Sequence, residues 1–221
     1  MHIAEGFLPP LHALAWSAVA LPAAVGGGRA IVRLAGAEDD TRARIAAAGG
    51  FCLLLSSLKL PSFAGSCSHP TGVGLGALLV GPAAMGGLAL VVLAYQSLLL
   101  AHGGITTLGA NLVALGVVGP WAAWAVHRTA LALRFPGGAA VALAAAVGSL
   151  GTYATTSVQL GLAFPDATGG RPAAVFEFAS LFLPVQLPLA LGEGALTAIA
   201  LGTLARRERR ASTPGLEGPR P

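Results

Sequence analysis

Long apolar stretches alternate with short polar or charged connections along this chain, and that pattern predicts a bundle of membrane-spanning helices. A helix needs about 20 apolar residues to cross a hydrocarbon core of roughly 30 Å. Five stretches approach or exceed that length: 8–28, 44–60, 106–127, 138–163 and 175–204. A sixth, 73–101, contains "GPAAMGG" and is compatible either with one long helix or with a short helix 73–80 followed by a helix 83–101.

The distribution of positive charge decides between these two topologies, because Lys and Arg are enriched in the cytoplasmic connections of membrane proteins. If the sixth stretch is broken and the N-terminus is exterior, the cytoplasmic segments are 28–44, 127–137 and 205–221. They then contain all of the 13 Lys and Arg residues except Lys59 and Arg171. Without the break this asymmetry is lost. We therefore predict an all-α polytopic membrane bundle of about seven helices, with a short third helix, an exterior N-terminus and a cytoplasmic C-terminus.

Composition supports a multi-pass protein of the cell (inner) membrane, because 55% of the 221 residues are hydrophobic and only 10% are charged. The net charge of +4 is explained by the helix connections and the C-terminus, so it does not indicate nucleic-acid binding. Two cysteines give no disulfide framework. We expect residues 1–205 to form one membrane-embedded domain and residues 206–221, which are basic and rich in proline, to form a disordered cytoplasmic tail.

Histidines near the predicted exterior face are the first candidates for chemistry. The chain begins "MHIAEG", without the charged region and cleavage site of a secretory signal. A free Met1 amine, the His2 amide and the His2 imidazole would form fused chelate rings, and a planar nitrogen field suits Ni(II), Cu(II) and low-spin Co(II). His69, in "GSCSHPTG", is the first candidate for a fourth nitrogen and His102 the second. Residue spacing alone leaves a purely structural role open for each histidine.

Polar residues inside the predicted membrane segments are costly, and we expect the amides among them to form hydrogen bonds between helices. They are Asn111, Gln96, Gln159, Gln186 and Glu193. Glu193 has several interpretations: a neutralised acid, a partner of another polar group, or part of a surface that contacts a second subunit.

Two other classes of function stay open on the residues alone. An intramembrane enzyme would need a nucleophile and a base, and His102 with Thr106 or Glu193 is the best pair available. A secondary transporter would often show inverted repeats, and we find none. The chain has no GxxxxGK[ST] phosphate loop, so we do not expect it to bind or hydrolyse ATP.

Several long strings narrow these alternatives. "MHIAEGFLPP", "LSSLKLPS", "GSCSHPTGVGLGALLVGP", "QSLLLAHGGITTLGAN" and "TTSVQLGLAFP" strongly resemble the CbiM family. That family comprises the cobalt-binding substrate-capture (S) components of energy-coupling factor importers, and its nickel relative is NikM. The resemblance extends from residue 1 to about residue 200 and fails in the 29–43 connection and in the tail.

The resemblance implies a metal site made of the Met1 amine, the amide and Nδ1 of His2, and His69. It also implies that the N-terminus is threaded into the bundle, so that neighbouring residues support the ligands without binding the metal. The candidates for such support are Glu5, Phe7, Ser66, Ser68, Thr71 and His102.

The family further implies a transporter subunit, not an enzyme. Its substrate would be Co(II), imported for corrinoid synthesis, with Ni(II) as the alternative because both ions accept four nitrogens. Its expected partners are a transmembrane coupling subunit, two ATPase subunits that hydrolyse ATP, and a small accessory membrane subunit.

Overall fold

A computed structural model describes residues 2–62 and 67–211, without the side chains of 208–211. Seven helices and one two-stranded hairpin make up the regular structure of this part of the chain. The helices are α1 (Pro10–Ala35), α2 (Asp39–Ser56), α3 (Val73–Val80), α4 (Pro82–Leu99), α5 (Leu108–Ala132), α6 (Gly137–Ala163) and α7 (Gly170–Ala211). The strands β1 (Leu60–Pro61) and β2 (Cys67–Ser68) pair antiparallel, with Leu60 opposite Ser68.

The predicted break in the sixth apolar stretch is confirmed. Helix α3 has only eight residues, and Gly81 alone separates it from α4. Gly81 has φ of +87°, a conformation that residues with a Cβ rarely adopt, and Pro82 then begins α4 with its fixed φ and no need for a hydrogen-bond acceptor. The Gly-Pro pair therefore ends one helix and starts the next.

Five helices are long and apolar enough to cross a membrane: α1, α4, α5, α6 and α7. Helix α2 differs from the predicted span 44–60, because it begins earlier and its first turns contain Asp39, Asp40 and Arg42. It nevertheless crosses the bundle. It starts close to the end of α1, and beyond its C-terminal end Lys59 donates to the carbonyl of Leu100, just after α4.

Close helix packing depends on positions where no side chain fits. A Cβ built on Gly27 of α1 would lie 2.2 Å from the backbone nitrogen of Gly87 in α4. Outside such crossings the apolar side chains face outward, and Leu11, Leu14 and Val32 on α1 are each at least 70% exposed. A belt of exposed apolar side chains is expected for a helix that contacts lipid.

Helix α5 widens into a π-helical segment over Val113–Val118. Pro120 lies two residues beyond this segment and has no backbone N–H, so the regular α-helical hydrogen-bond ladder cannot continue through this point. π-Helical turns are frequent near functional sites. The polar residues Thr107 and Asn111 lie just before the segment, at the N-terminal end of the helix.

The last helix continues beyond the predicted domain boundary. Helix α7 ends at Ala211, so it includes six residues of the expected tail, and residues 212–221 lie outside the described part of the chain. Its 38-residue apolar section, Gly170–Arg207, is longer than a bilayer requires.

The bundle has two chemically different ends. Helix α1 begins at Pro10, eight residues after His2, and ends near Arg29 and Arg33. At 26 residues it is about 39 Å long, enough to separate these groups by the thickness of a membrane core. The end of the bundle that contains His2 and the end that contains Arg29 and Arg33 are therefore opposite, as the charge distribution predicts.

Candidate metal centre

Three histidines from three distant parts of the sequence meet at one end of the bundle. One ligand atom from each of His2, His69 and His102 lies within 4.8 Å of the others. Their ring centroids are 4.6 to 5.1 Å apart, and all three side chains are buried. Buried imidazoles clustered this closely are suited to share one metal ion.

The N-terminal segment that carries His2 is held by the first turn of α5. The backbone N–H of Ile3 donates to Asn111 Oδ1 at 2.8 Å, and Asn111 Nδ2 donates back to the Ile3 carbonyl at 3.0 Å. The hydroxyl of Thr107 donates to the same carbonyl at 2.7 Å. These bonds engage both the N–H and the carbonyl of Ile3 and so fix the backbone next to His2.

The loop before α5 provides a second contact for this segment. The Glu5 N–H donates to the Gly103 carbonyl at 3.2 Å. Gly104 lies so close that an added Cβ would be 2.4 Å from the Glu5 Cα. The absence of a side chain at Gly104 therefore allows the N-terminal segment to lie directly against the loop that contains His102.

His69 lies between the hairpin and α3, where its backbone and ring are both fixed. Its N–H donates to the Tyr153 hydroxyl at 3.0 Å, and that hydroxyl is also 3.0 Å from the His69 carbonyl. His69 Nδ1 is 2.9 Å from the Pro70 carbonyl, which can only accept, so Nδ1 carries the ring proton. The lone pair of His69 is consequently on Nε2, a buried atom that has no hydrogen-bond partner in the described ranges.

The loop after His69 is anchored by Glu193, the residue that the sequence left unassigned. One carboxylate oxygen accepts the Thr71 N–H at 2.6 Å, and the other accepts the Thr71 hydroxyl and the Gly72 N–H, each at 2.8 Å. The carboxylate thereby accepts hydrogen bonds from the backbone N–H groups of the two residues that precede α3. Because Glu193 belongs to α7, the last helix holds the loop that carries a candidate ligand.

His102 follows α4, and its N–H donates to the Gln96 carbonyl at 3.1 Å. The Gln96 side chain donates to Ser56 at 2.8 Å and thus ties the end of α4 to the end of α2. Within the described part of the chain, His102 Nε2 is buried without a hydrogen-bond partner, and so are both ring nitrogens of His2. Each of the three imidazoles therefore has at least one ring nitrogen free for a ligand.

The environment keeps these imidazoles neutral. Burial, reinforced by the neighbouring His69, places the pKa of His2 well below its usual value, and burial does the same for His69. Burial is the main cause of a His102 pKa of about 4, and the positive charges of the N-terminal amine and of Lys59 lower it further. A neutral imidazole keeps the lone pair that a metal requires.

The remaining residues predicted to bind the metal or to support its ligands differ in their exposure and contacts. Hydrogen bonds from Thr106 lower the pKa of the exposed Glu5. Phe7 is 53% exposed and its ring packs against Phe164. Ser68 and Thr71 are buried beside His69, and Met1 and Ser66 lie outside the described residues.

Three of the buried amides, Gln96, Gln159 and Gln186, connect helices as predicted, whereas Asn111 binds the N-terminal segment instead. Gln159 donates to the Ala110 carbonyl and Gln186 to the Ser149 hydroxyl. Thr106 hydrogen-bonds to Gly6 and Glu5, whereas Glu193 bonds to Thr71 and Gly72. Within the described residues, neither forms the pair with His102 that an intramembrane enzyme would need.

Two residues that shape the site were given no role there by the sequence analysis. Tyr153 hydrogen-bonds to the backbone of His69, and Asn111 hydrogen-bonds to the backbone of Ile3, next to His2. These partners are 84 and 108 residues away in the sequence. Asn111 was noticed as a polar residue in an apolar segment. Tyr153 gave no such signal, because a tyrosine within an apolar helix is not unusual.

The fold and these residues define a polytopic membrane protein with a candidate transition-metal site built from imidazoles at one end of its helical bundle. A family model described as the cobalt uptake substrate-specific transmembrane region, CbiM, matches residues 2–211. The chain belongs to the CbiM family.

Similar proteins agree with this assignment. Cobalt transport protein CbiM 1 of Pelobacter propionicus is 50% identical over 209 residues, covering 95% of this chain and 92% of the relative. The cobalt transport protein CbiM of Streptomyces coelicolor is 47% identical, over 95% of this chain and 90% of its own. This protein is thus a member of a family of cobalt transport proteins, and the predicted family is confirmed.

Two solved structures share the fold. A truncated transition metal transporter superposes with a TM-score of 0.79 at 24% identity, over 94% of this chain and 99% of its own. A second transition metal transporter gives a TM-score of 0.81 at 22% identity, over 95% and 94% of the two chains. The likeness establishes a common helical architecture.

Proposed function

We propose that this protein is the substrate-capture component of an energy-coupling factor importer, and that it binds Co(II) at the exterior face. The observation that carries the proposal is the convergence of three buried, neutral imidazoles with free nitrogen atoms beside the N-terminal segment. Such a cluster is costly to bury unless something completes its bonding, and a metal ion does so.

The proposed ligands are the Met1 amine, the amide and Nδ1 nitrogens of His2, and His69 Nε2. The free nitrogens of His2 support this set, since both ring atoms lack partners among the residues that the structure describes. The site uses His69 Nε2 because the Pro70 carbonyl occupies Nδ1. Four nitrogens in one plane favour a low-spin ion, which suits Co(II) and also Ni(II). Ni(II) is therefore the alternative substrate.

Release to the cytoplasm requires energy that the described site has no means to supply. We propose that two ATPase subunits, a transmembrane coupling subunit and a small accessory membrane subunit work with this chain. Changes in helix orientation would distort the site, since its loops are fixed to α5, α6 and α7 through Asn111, Tyr153 and Glu193. The delivered cobalt would serve corrinoid synthesis.

The proposal predicts that the chain purified with its native N-terminus retains about one Co(II) per molecule. Cobalt uptake by cells should require the coupling and ATPase subunits as well as this chain. The measurements are metal content by mass spectrometry and uptake of radioactive cobalt, with and without each partner. Ion-gradient-driven uptake by this chain alone in proteoliposomes would instead establish a secondary transporter.

A further inference from the structure

His102 is the one histidine of the cluster for which the proposed ligand set has no use. Its side chain is only 4% exposed, and its Nε2 atom has no hydrogen-bond partner among residues 2–62 and 67–211. A buried nitrogen left without a partner is unfavourable, so a function that depends on its lone pair is expected.

Ring separations indicate where His102 would lie relative to a metal held by the other two histidines. With metal–nitrogen bonds of about 2.0 to 2.1 Å, two imidazole centroids on one ion are about 4.5 Å apart when cis and about 6.4 Å apart when trans. His102 is 4.6 Å from His2 and 5.1 Å from His69, and those two are 4.7 Å apart. All three pairs thus match a cis arrangement better than a trans one.

A planar site with four nitrogens has no in-plane position left, so a third cis imidazole must be axial. Ring orientation agrees with this position. The His2 and His69 rings are nearly parallel, with an interplanar angle of 20°. The His102 ring stands at 86° and 68° to them. An axial imidazole contains the axis normal to the equatorial plane, so its ring is expected to stand close to perpendicular to in-plane rings.

We propose that His102 is an axial fifth ligand that makes the site prefer Co(II) to Ni(II). This inference rests on the proposed planar chelate. Low-spin Co(II) has one electron in the orbital that points along the axis and accepts a single axial donor. Low-spin Ni(II) fills that orbital with two electrons and repels such a donor. A fixed axial nitrogen therefore strengthens Co(II) binding and adds little for Ni(II).

Electron paramagnetic resonance of the Co(II)-loaded full chain, with its native N-terminus, tests this assignment. We expect a low-spin signal whose cobalt lines are each split into three by one axial ¹⁴N nucleus. Incorporation of ¹⁵N-histidine into the unaltered protein should change each triplet into a doublet. His102→Ala and His102→Gln should remove the splitting, and His127→Ala, a histidine outside the cluster, should leave it unchanged.

Metal affinities give an independent readout. His102→Ala should weaken Co(II) binding about ten- to a hundredfold and change Ni(II) binding by less than about threefold. A low-spin signal without axial splitting in the unaltered protein would overturn the role of His102, as would a triplet that persists in both His102 variants. A high-spin Co(II) signal, or no Co(II) binding, would overturn the planar chelate itself and the axial ligand with it.

Discussion

Replacing His69 with Ala is expected to weaken Co(II) binding by roughly a hundredfold or more. A four-ligand structural zinc site is worth about 10 to 16 kcal/mol, so one of four nitrogens carries several kcal/mol, and each 1.4 kcal/mol is a factor of ten. The side chain is buried, and its ring proton already bonds to Pro70, so Nε2 is free of competing partners from the described residues. The measurement is Co(II) affinity by isothermal titration in detergent.

His127→Ala is the matched control, because that histidine lies in the second half of α5, outside the described cluster. It should leave the affinity unchanged. Thermal unfolding of the metal-free proteins separates loss of a ligand from loss of the fold. Unchanged Co(II) affinity in a folded His69→Ala protein would show that His69 is not a ligand.

Replacing Glu193 is expected to damage both the fold and the metal site. Glu193→Ala leaves two backbone N–H groups and one hydroxyl without their acceptor, and each unpaired buried group costs about 1–3 kcal/mol. For a chain of this size that corresponds to a fall in Tm of roughly 6 to 36 °C. Co(II) affinity should fall about ten- to a hundredfold, because Thr71 and Gly72 belong to the loop of His69.

Glu193→Gln is also expected to lower the Tm and the Co(II) affinity, because glutamine cannot accept the same hydrogen bonds. Its amide NH₂ would face the N–H of Thr71 in one orientation and the N–H of Gly72 in the other, so a donor would meet a donor in either case. Glu177→Ala, at an exposed position on the same helix, is the control and should change neither property. Unaltered Tm and Co(II) affinity in both Glu193 variants would contradict the role of Glu193 as the anchor of the His69 loop.

Much of the fold follows from local sequence signals. Runs of apolar residues define the spans, and the Gly81-Pro82 pair ends α3 and begins α4 because of its own backbone preferences. The pattern was less informative for α2, whose charged first turns hide a helix that begins at Asp39. The connection predicted between residues 28 and 44 is mostly helical for the same reason, since charged residues do not prevent helix formation outside the membrane core.

The site could be predicted only in part. His2 and His69 stand out because histidines are few and the N-terminal chelate is local, and the resemblance to the CbiM family selected the same pair. The contacts that position them are not local. Glu193 accepts hydrogen bonds from residues more than 120 positions away, and no spacing rule connects such residues. Their pairing depends on helix packing, which short sequence patterns do not encode.

The most direct test of the central claim compares the chain bearing its native N-terminus with one that has a single extra residue before Met1. The extension converts the Met1 amine into an amide and changes nothing else in the chain. The account predicts that tight Co(II) binding is lost, while thermal stability without metal stays the same. If both proteins bind Co(II) with equal affinity, the terminal amine is not a ligand and the proposed chelate is wrong.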